Sequence, residues 1–232
     1  MKIKVLGSSS SGNCYIVEDC GEKLILDAGV KYTEIMRAID WQTDSVAGCL
    51  VTHKHSDHCA AAEKLARIVR TASCQEVANQ LQSSCEVLDE NKAYMFGAYK
   101  VVPFHAPHGG TENYGYVIWT PSGQRLLYAT DYEYIPLNFQ SVRLTHMMIE
   151  CNYTDREKLK GLEKYEHVAR GHAALDTALG VVEANRTEDL KAVIICHVSA
   201  SEDGESMRAQ VQELVGDTVT VTVAEKGGNY EW

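Results

Sequence analysis

Three histidines and one aspartate lie within six consecutive residues of this sequence, at His53, His55, Asp57 and His58. Imidazole nitrogens suit zinc and similar ions, and a nearby carboxylate adds the oxygen and negative charge that favour a second cation. A loop that is histidine-rich by chance, or a mononuclear structural site, would contain the same residue types. Their density directly after the apolar run 49–52 favours a pair of bound metal ions and a metal-dependent hydrolase.

The histidine-rich stretch is predicted to lie in a loop between a strand and a helix. Residues 48–52 form a β-rich run, and residues 60–69 carry apolar side chains at helical spacing. Further strands are predicted at 3–6, 14–17, 24–26, 99–104, 114–120, 125–130 and 145–149, and the last third alternates a helix (173–184), a strand (192–196), a helix (204–214) and a strand (219–224). We expect one α/β domain over residues 1–232.

Composition limits the compartment and the substrate. The sequence has no run of about 18 apolar residues and begins with a strand pattern rather than a signal segment, so we expect a soluble, cytoplasmic protein that binds no membrane. Its eight cysteines are scattered without a CxxC pair and are expected to be reduced, mostly buried thiols. The net charge of −10 disfavours a polymeric nucleic acid as substrate, although a local basic patch can exist within an acidic total.

The stretch from His53 to His58 resembles the HxHxDH motif of the metallo-β-lactamase-fold hydrolases, and the resemblance extends over nearly the whole chain. It implies an α/β fold of the αββα type, in which two β-sheets pack face to face with helices outside. Residues 24–29 resemble the family's first motif, whose aspartate, here Asp27, supports the histidine loop through hydrogen bonds. An aspartate that merely opens an ordinary turn is the alternative.

The resemblance also implies the remaining metal ligands. Two histidines, His105 and His108, are candidates for the next ligand, and the following strand selects His108 while leaving His105 to orient a ligand. Many relatives have an aspartate directly after this histidine, whereas this chain has Gly109, which puts local support of the ligand in doubt. The implied ligands of one metal are His53, His55, His108 and Asp131, those of the other are Asp57, His58, Asp131 and His197, and a solvent-derived hydroxide is implied between two zinc or manganese ions.

Two further segments are similar to the RNase Z branch of the fold. Residues 148–152 resemble the strand end that bears a glutamate, and residues 170–174 resemble the segment of the catalytic histidine at a helix start. The resemblance implies that Glu150 orients His172, which acts on the departing oxygen or the transferred phosphoryl group, and that Asp57 is catalytic as well as a ligand. A helix cap and an ordinary ion pair are the alternative roles of the two residues.

Aromatic and unassigned residues complete the candidates. Tyr132, Tyr134 and Tyr153 follow the site strands and could stack on a nucleobase, although packing is the commoner role of such residues. We predict that Tyr132 and Tyr153 contact the substrate. His146 and His167 lie outside every motif and are expected at the surface or behind the metal ligands.

The Ser-rich turn 7–14 resembles two compact branches of the fold, bacterial exonuclease-like proteins and anti-Pycsar-type cyclic-nucleotide phosphodiesterases of phages and bacteria. Small size, acidic charge and the lack of a long basic arm of the kind that RNase Z uses favour the second branch. That branch implies hydrolysis of a 3′,5′-cyclic mononucleotide to a 5′-mononucleotide, a counter-defence role and a homodimer. The alternatives are a DNA exonuclease of the same fold and a protein that sequesters a nucleotide without cutting it.

Overall fold

The strands of the computed structural model form two seven-stranded sheets, and the structure describes residues 1–82, 84–155 and 170–232. The first sheet contains β1 (Lys2–Ser9), β2 (Gly12–Asp19), β3 (Glu22–Leu26), β4 (Val46–Leu50), β5 (Thr71–Ser73), β6 (Glu86–Val87) and β14 (Asn229–Glu231). The second contains β7 (Tyr94–Phe96), β8 (Tyr99–His105), β9 (Tyr114–Trp119), β10 (Arg125–Ala129), β11 (His146–Glu150), β12 (Ala192–Cys196) and β13 (Thr220–Val223). The described helices are α1 (Tyr32–Ala38), α2 (Ser56–Cys59), α3 (Ala62–Leu65), α4 (Gln75–Gln80), α5 (Leu175–Asn185) and α6 (Gly204–Val215), with 3-10 turns at Thr43–Ser45 and Gln140–Val142.

Strand direction divides each sheet into two parts. The first sheet has the order β14-β1-β2-β3-β4-β5-β6, with antiparallel pairs up to β3 and parallel pairs from β3 to β6. The second has the order β13-β12-β11-β10-β9-β8-β7, with parallel pairs from β13 to β10 and antiparallel pairs from β10 to β7. The carboxyl ends of the parallel strands within a sheet therefore share one edge, where α/β proteins bind their ligands.

The two sheets share one hydrophobic core. Buried side chains of β1 to β4 pack in the same cluster as Tyr116, Tyr128, Met148 and Ile194 of the second sheet. A second cluster covers the other face of that sheet, where α5 and α6 pack against β9 to β12. Buried residues of α1, α3 and α4 pack on the first sheet. The predicted fold, two sheets face to face with helices outside, is confirmed.

The helix predicted over residues 60–69 is confirmed in part, since it is shortened to α3 (Ala62–Leu65), and a separate short helix, α2 (Ser56–Cys59), lies in the predicted histidine loop. The amide of Ala61 donates to the carbonyl of Ala28 at 2.8 Å and so leaves the helical ladder. In a helix that ran on from α2 to α3, the carbonyl of Asp57 would accept from the Ala61 amide. It faces the side-chain amide of Asn13 at 3.4 Å instead. The break ties the histidine loop to the strand β3 and its following turn.

The cysteine prediction is confirmed, since all eight are free and six are buried. Only Cys20 is exposed, and Cys85 is half-buried. Within the three described ranges, no helix has the length and apolar character needed to cross a membrane.

Candidate metal centre

The predicted site residues lie at the carboxyl ends of five strands. Asp27 and His197 directly follow β3 and β12, Asp131 lies two residues after β10, and Glu150 ends β11. The histidine loop begins after β4. Asp27, Asp131 and His197 have positive φ angles of 58°, 52° and 52°. Such a backbone conformation costs about 1–3 kcal/mol per residue and is concentrated at functional sites, so the strand ends are shaped for the side chains they present.

Three imidazoles converge in what we call the His108 group, His53, His55 and His108. His53 Nε2 lies 3.0 Å from His55 Nδ1, which in turn lies 3.2 Å from His108 Nε2. Burial, and to a smaller extent the neighbouring His58, hold the pKa of His53 well below its usual range. Burial likewise lowers the pKa of His108. A metal ligand must present the lone pair of a neutral imidazole, and the lowered pKa values of His53 and His108 favour that form.

The second donor set, the Asp57 group, contains more carboxylate. Asp57, His58 and His197 lie around Asp131. His58 Nε2 is 3.4 Å from Asp57 Oδ2 and 3.2 Å from Asp131 Oδ1. Although burial alone would lower the pKa of His58, the carboxylates of Asp131 and Asp27 outweigh it and raise that pKa well above its usual value. The group thus concentrates negative charge that a second cation would balance.

Asp131 joins the two groups through its two oxygens. Its Oδ1 lies 3.2 Å from His58 Nε2 and 3.0 Å from His197 Nδ1. Its Oδ2 faces the His108 group, 3.9 Å from His53 Nε2 and 4.0 Å from His108 Nε2. One carboxylate therefore points one oxygen at each group, as the predicted bridging role requires.

The donor atoms fit divalent cations. Ligands of a tetrahedral zinc ion are about 3.3 Å apart, because zinc–nitrogen bonds are about 2.0 to 2.1 Å, and the 3.0 and 3.2 Å separations in the His108 group come close to this. His197 Nε2 is buried without a hydrogen-bond partner among the described residues and lies 3.8 Å from Asp57 Oδ2. A buried imidazole nitrogen that faces a carboxylate and forms no hydrogen bond is well suited to bind a metal ion. The clustered His and Asp residues can therefore bind metal ions.

Asp27 supports the histidine loop from behind, as the sequence predicts. Its Oδ1 accepts from the Thr52 amide at 2.7 Å, and its Oδ2 lies 2.9 Å from His58 Nδ1. The Tyr128 hydroxyl donates to the same Oδ2 at 2.5 Å. The bond to Nδ1 orients the ring so that Nε2 of His58 faces Asp57 and Asp131. Tyr128 and Thr52 were not foreseen, because their contact with Asp27 depends on how the two sheets pack.

A backbone carbonyl orients His108, where many relatives have an aspartate in the position of Gly109. His108 Nδ1 lies 2.5 Å from the carbonyl oxygen of Gly171. The amide of Gly109 donates to the carbonyl of Arg170 at 2.9 Å. The doubt raised by Gly109 is thus resolved by the segment that precedes His172, which fixes the tautomer of the ligand.

Glu150 holds His172 beside the metal groups. Glu150 is fully buried, and its Oε1 lies 2.8 Å from His172 Nδ1 and 2.7 Å from His197 Nδ1. Although burial alone would lower the pKa of His172, the carboxylate of Glu150 outweighs it and raises that pKa above its usual value. His172 Nδ1 is also 3.7 Å from Asp131 Oδ2. The predicted pair is formed, and Glu150 in addition orients His197, which the sequence did not indicate.

Two predicted substrate contacts are wrong. Tyr132 and Tyr153 are 0% and 1% exposed and so offer no face to a nucleobase. Tyr132 instead holds Glu150, since its amide donates to Oε2 at 3.2 Å and its hydroxyl to the backbone carbonyl at 3.1 Å. Tyr134 is 52% exposed and is the member of the trio that can still stack on a base.

Three histidines outside the donor groups need separate mention. None of the hydrogen bonds and ion pairs among the described residues involves the side chain of His105, which lines a pocket instead of orienting a ligand. His146 is fully buried at the amino end of β11, so its expected position at the surface or behind the ligands is wrong. Burial and the nearby Lys191 lower the pKa of His146 to about 4. His167 lies outside the described residues.

Asn13 is a site residue that sequence reasoning missed. Its buried side-chain amide lies 3.0 Å from His58 Nε2 and donates to the carbonyl of Ser9 at 3.0 Å. The only signal was its place at the end of the Ser-rich turn. Asn13 connects that turn to the Asp57 group, so the turn belongs to the wall of the site.

Two cavities of opposite charge flank the centre. Beside the His108 group lies the glutamate pocket, a cavity of about 700 Å³ whose charged walls are Glu76, Glu90, Glu112, Glu133 and Arg170. Beside the Asp57 group lies the lysine groove, formed by adjoining cavities of about 660 and 330 Å³ that share Ser11, Val30 and Lys226. Lys31, Lys64 and Lys226 line its larger part with the acidic residue Glu34, and Glu225 lines its smaller part.

Comparison with known proteins gives relatives of two kinds. The chain is 38% identical to the exodeoxyribonuclease WalJ of Streptococcus pneumoniae over 69 residues, which covers 28% of this chain and only about a quarter (26%) of WalJ. It is 25% identical to the exodeoxyribonuclease YycJ of Bacillus anthracis over 98% of this chain and 90% of that protein. The crystal structure of the metallo-β-lactamase fold protein YhfI from Bacillus subtilis superposes with a TM-score of 0.77, 14% identity and coverage of 99% of this chain and 98% of YhfI.

A family model decides the affiliation. The model described as the β-lactamase superfamily domain matches residues 22–198, which is most of the chain and includes both donor groups and the Glu150–His172 pair. Together with the two-sheet architecture and the strand-end donors, this match shows that the chain belongs to the β-lactamase superfamily of metallo-β-lactamase-fold proteins.

Proposed function

We propose that this chain is a dinuclear metal-dependent phosphodiesterase that hydrolyses nucleotide phosphodiesters. The observation that carries the proposal is the buried Glu150 carboxylate, which holds His172 Nδ1 at 2.8 Å with His172 3.7 Å from Asp131. Thioester hydrolysis needs no proton donor aimed at the metal groups, because a thiolate can leave unprotonated. A phosphodiester with a poor leaving group does need one.

The chain's own residues would divide the work as follows. Two divalent cations, held by the His108 and Asp57 groups, would lower the pKa of bound water from about 15.7 toward about 7 and neutralise charge on the phosphoryl oxygens. With Nδ1 bound to Glu150, His172 would give the proton of its other ring nitrogen, Nε2, to the departing ester oxygen as the P–O bond breaks. The oxygen of water forms the new bond to phosphorus, so the products are a phosphomonoester and an alcohol.

A DNA end is the substrate that the comparisons support. YycJ, which matches 98% of this chain, is an exodeoxyribonuclease, and so is WalJ, which matches 28% of it. The lysine groove supplies the local basic patch that a net charge of −10 left open. DNA, which the sequence left as the alternative substrate, is therefore our first candidate substrate.

A cyclic mononucleotide is the second candidate, and the glutamate pocket favours it. A cavity of about 700 Å³ beside His108 has room for a nucleoside, whereas its four glutamates repel further phosphates. Hydrolysis would convert a 3′,5′-cyclic nucleotide to a 5′-mononucleotide, in keeping with a counter-defence role against cyclic-nucleotide signals. A homodimer in the cytoplasm remains part of this hypothesis.

One panel of substrates tests the proposal. Zinc-loaded and manganese-loaded protein is incubated with cyclic CMP, UMP, AMP and GMP, with single- and double-stranded DNA and with bis(p-nitrophenyl) phosphate. We expect release of mononucleotides from DNA ends. Turnover of cyclic nucleotides alone would favour the second candidate, and tight nucleotide binding without any product would support the sequestering protein and overturn the proposal.

A further inference from the structure

The lysine groove and the glutamate pocket present different charges on the two sides of the metal centre. We infer that the lysine groove binds the phosphates of a single DNA strand, while the glutamate pocket receives only the nucleoside at the end of that strand. This inference rests on the phosphodiesterase activity proposed above. The groove would thereby set both the substrate class and the exonucleolytic mode of attack.

The lysine groove adjoins the Asp57 group. Gly29 lines the groove, and its Cα lies so close to the backbone of Asp57 that a Cβ would be 1.6 Å from the Asp57 carbonyl oxygen. At the other end, Ser8 lines the smaller cavity, and its Oγ accepts from the His197 amide at 3.0 Å. Only one layer of chain therefore separates the groove from the metal groups, so a strand whose scissile phosphate lies there needs to cross a short distance to reach the groove.

The groove's charges suit a phosphate backbone. Lys31, Lys64 and Lys226 are all exposed, so their ammonium groups can reach a bound strand. Lys226 pairs with Glu34 at 3.0 Å, and Lys64 lies 5.9 Å from the ring centroid of Tyr32. An aromatic ring beside exposed lysines is a common platform for a base of single-stranded DNA.

The opposite wall excludes a continuing backbone. The glutamate pocket carries four carboxylates, of which Glu76 pairs with Lys54 at 2.9 Å, and one guanidinium, that of Arg170. Glu76 and Glu112 are held in place by reciprocal bonds to each other's backbone amides, at 3.3 and 2.9 Å. Phosphates would face fixed negative charge there, whereas sugar hydroxyls and base N–H groups can donate to carboxylates. The strand therefore ends at the His108 side.

The test is a titration of metal-loaded protein with a fluorescent oligothymidylate phosphorothioate, which resists hydrolysis, at a series of salt concentrations. The variant carries Lys31→Glu, Lys64→Glu and Lys226→Glu, singly and together. The matched control is Lys191→Glu, an exposed lysine directly before β12, at the far end of that strand from His197. Thermal melting of every variant checks the fold.

We expect the triple variant to raise the Kd at low salt at least about tenfold and to reduce the slope of log K against log salt by about 0.7 per lysine that contacts a phosphate. The control should stay within about twofold of wild type. A triple variant that binds the oligonucleotide as well as the control does would show that the groove does not bind the DNA strand. Turnover of bis(p-nitrophenyl) phosphate by the wild-type protein tests the phosphodiesterase activity separately. If there is no turnover, the proposed function is wrong, but the titration still shows whether the groove binds DNA.

Discussion

The two sides of the metal centre are built from different donors and face different charges. The His108 group consists of three imidazoles and borders the glutamate pocket, whereas the Asp57 group adds carboxylate and borders the lysine groove. Asp131 is common to both, with one oxygen toward each. Two donor sets that look symmetric can therefore orient a substrate, because a polyanion is attracted on one side and repelled on the other.

Removing the Asp131 carboxylate, which faces both donor groups, should disturb metal binding on both sides of the centre. Asp131→Ala takes one ligand from each group, so we expect bound metal to fall from about two ions per chain to less than one and turnover to fall to background. Metal analysis of the dialysed protein and an assay with bis(p-nitrophenyl) phosphate measure both effects. Asp217→Ala, an exposed aspartate between α6 and β13, is the control. Two retained ions would show that Asp131 does not bridge.

Removing the proton donor should separate chemistry from metal binding. His172 clusters with Asp131, Glu150 and His197 and not with the three imidazoles of the His108 group. Because its Nδ1 is held by Glu150, we expect His172→Ala to lower the rate about 10²- to 10⁴-fold while both ions remain. Glu150→Gln should differ, since Glu150 also holds His197 and its change disturbs the Asp57 group. Loss of metal from His172→Ala would assign this histidine to the ligands instead.

The Asp57 side can be disturbed alone through Gly29. An added Cβ would lie 1.6 Å from the Asp57 carbonyl oxygen, so Gly29→Ala must displace the loop that carries Asp57 and His58. We expect a loss of about 1–3 kcal/mol in stability and bound metal nearer one ion than two. Gly180→Ala in α5, whose Cβ would meet no atom within 4 Å, should instead stabilise by about 0.5–1 kcal/mol. Equal metal content in both variants would contradict the close approach.

The donors themselves were predictable because their signals are local. His53 to His58 lie within one loop, and Asp131, Glu150 and His197 each end an apolar run, where a polar residue has few structural roles. Parallel strands then bring these ends to common edges. The family motifs select His108 over His105, and the structure places His108 in the donor group.

What surrounds the donors was not predictable, because it depends on packing between distant segments. The burial of Tyr132 and Tyr153 and the isolated position of His146 follow from which faces the sheet and helices cover. The carbonyl of Gly171 reaches His108 across 63 residues of sequence, and no local pattern records such a contact. The two flanking cavities likewise combine residues from separate loops.

The smallest expected effect concerns the repulsive side. Glu90 and Glu133 line the glutamate pocket, and in contrast to Glu76 and Glu112 neither takes part in the reciprocal backbone bonds. Two unit charges about 7 Å apart in water interact by about 0.6 kcal/mol, so Glu90→Gln with Glu133→Gln should lower the KM for single-stranded DNA about two- to fivefold, and less at high salt. Glu213→Gln, an exposed substitution of the same kind in α6 that removes one carboxylate, should leave KM unchanged. If the pocket variant instead raises KM at every salt concentration, its carboxylates bind the terminal nucleoside more than they repel phosphate, and the two sides attract different parts of one substrate.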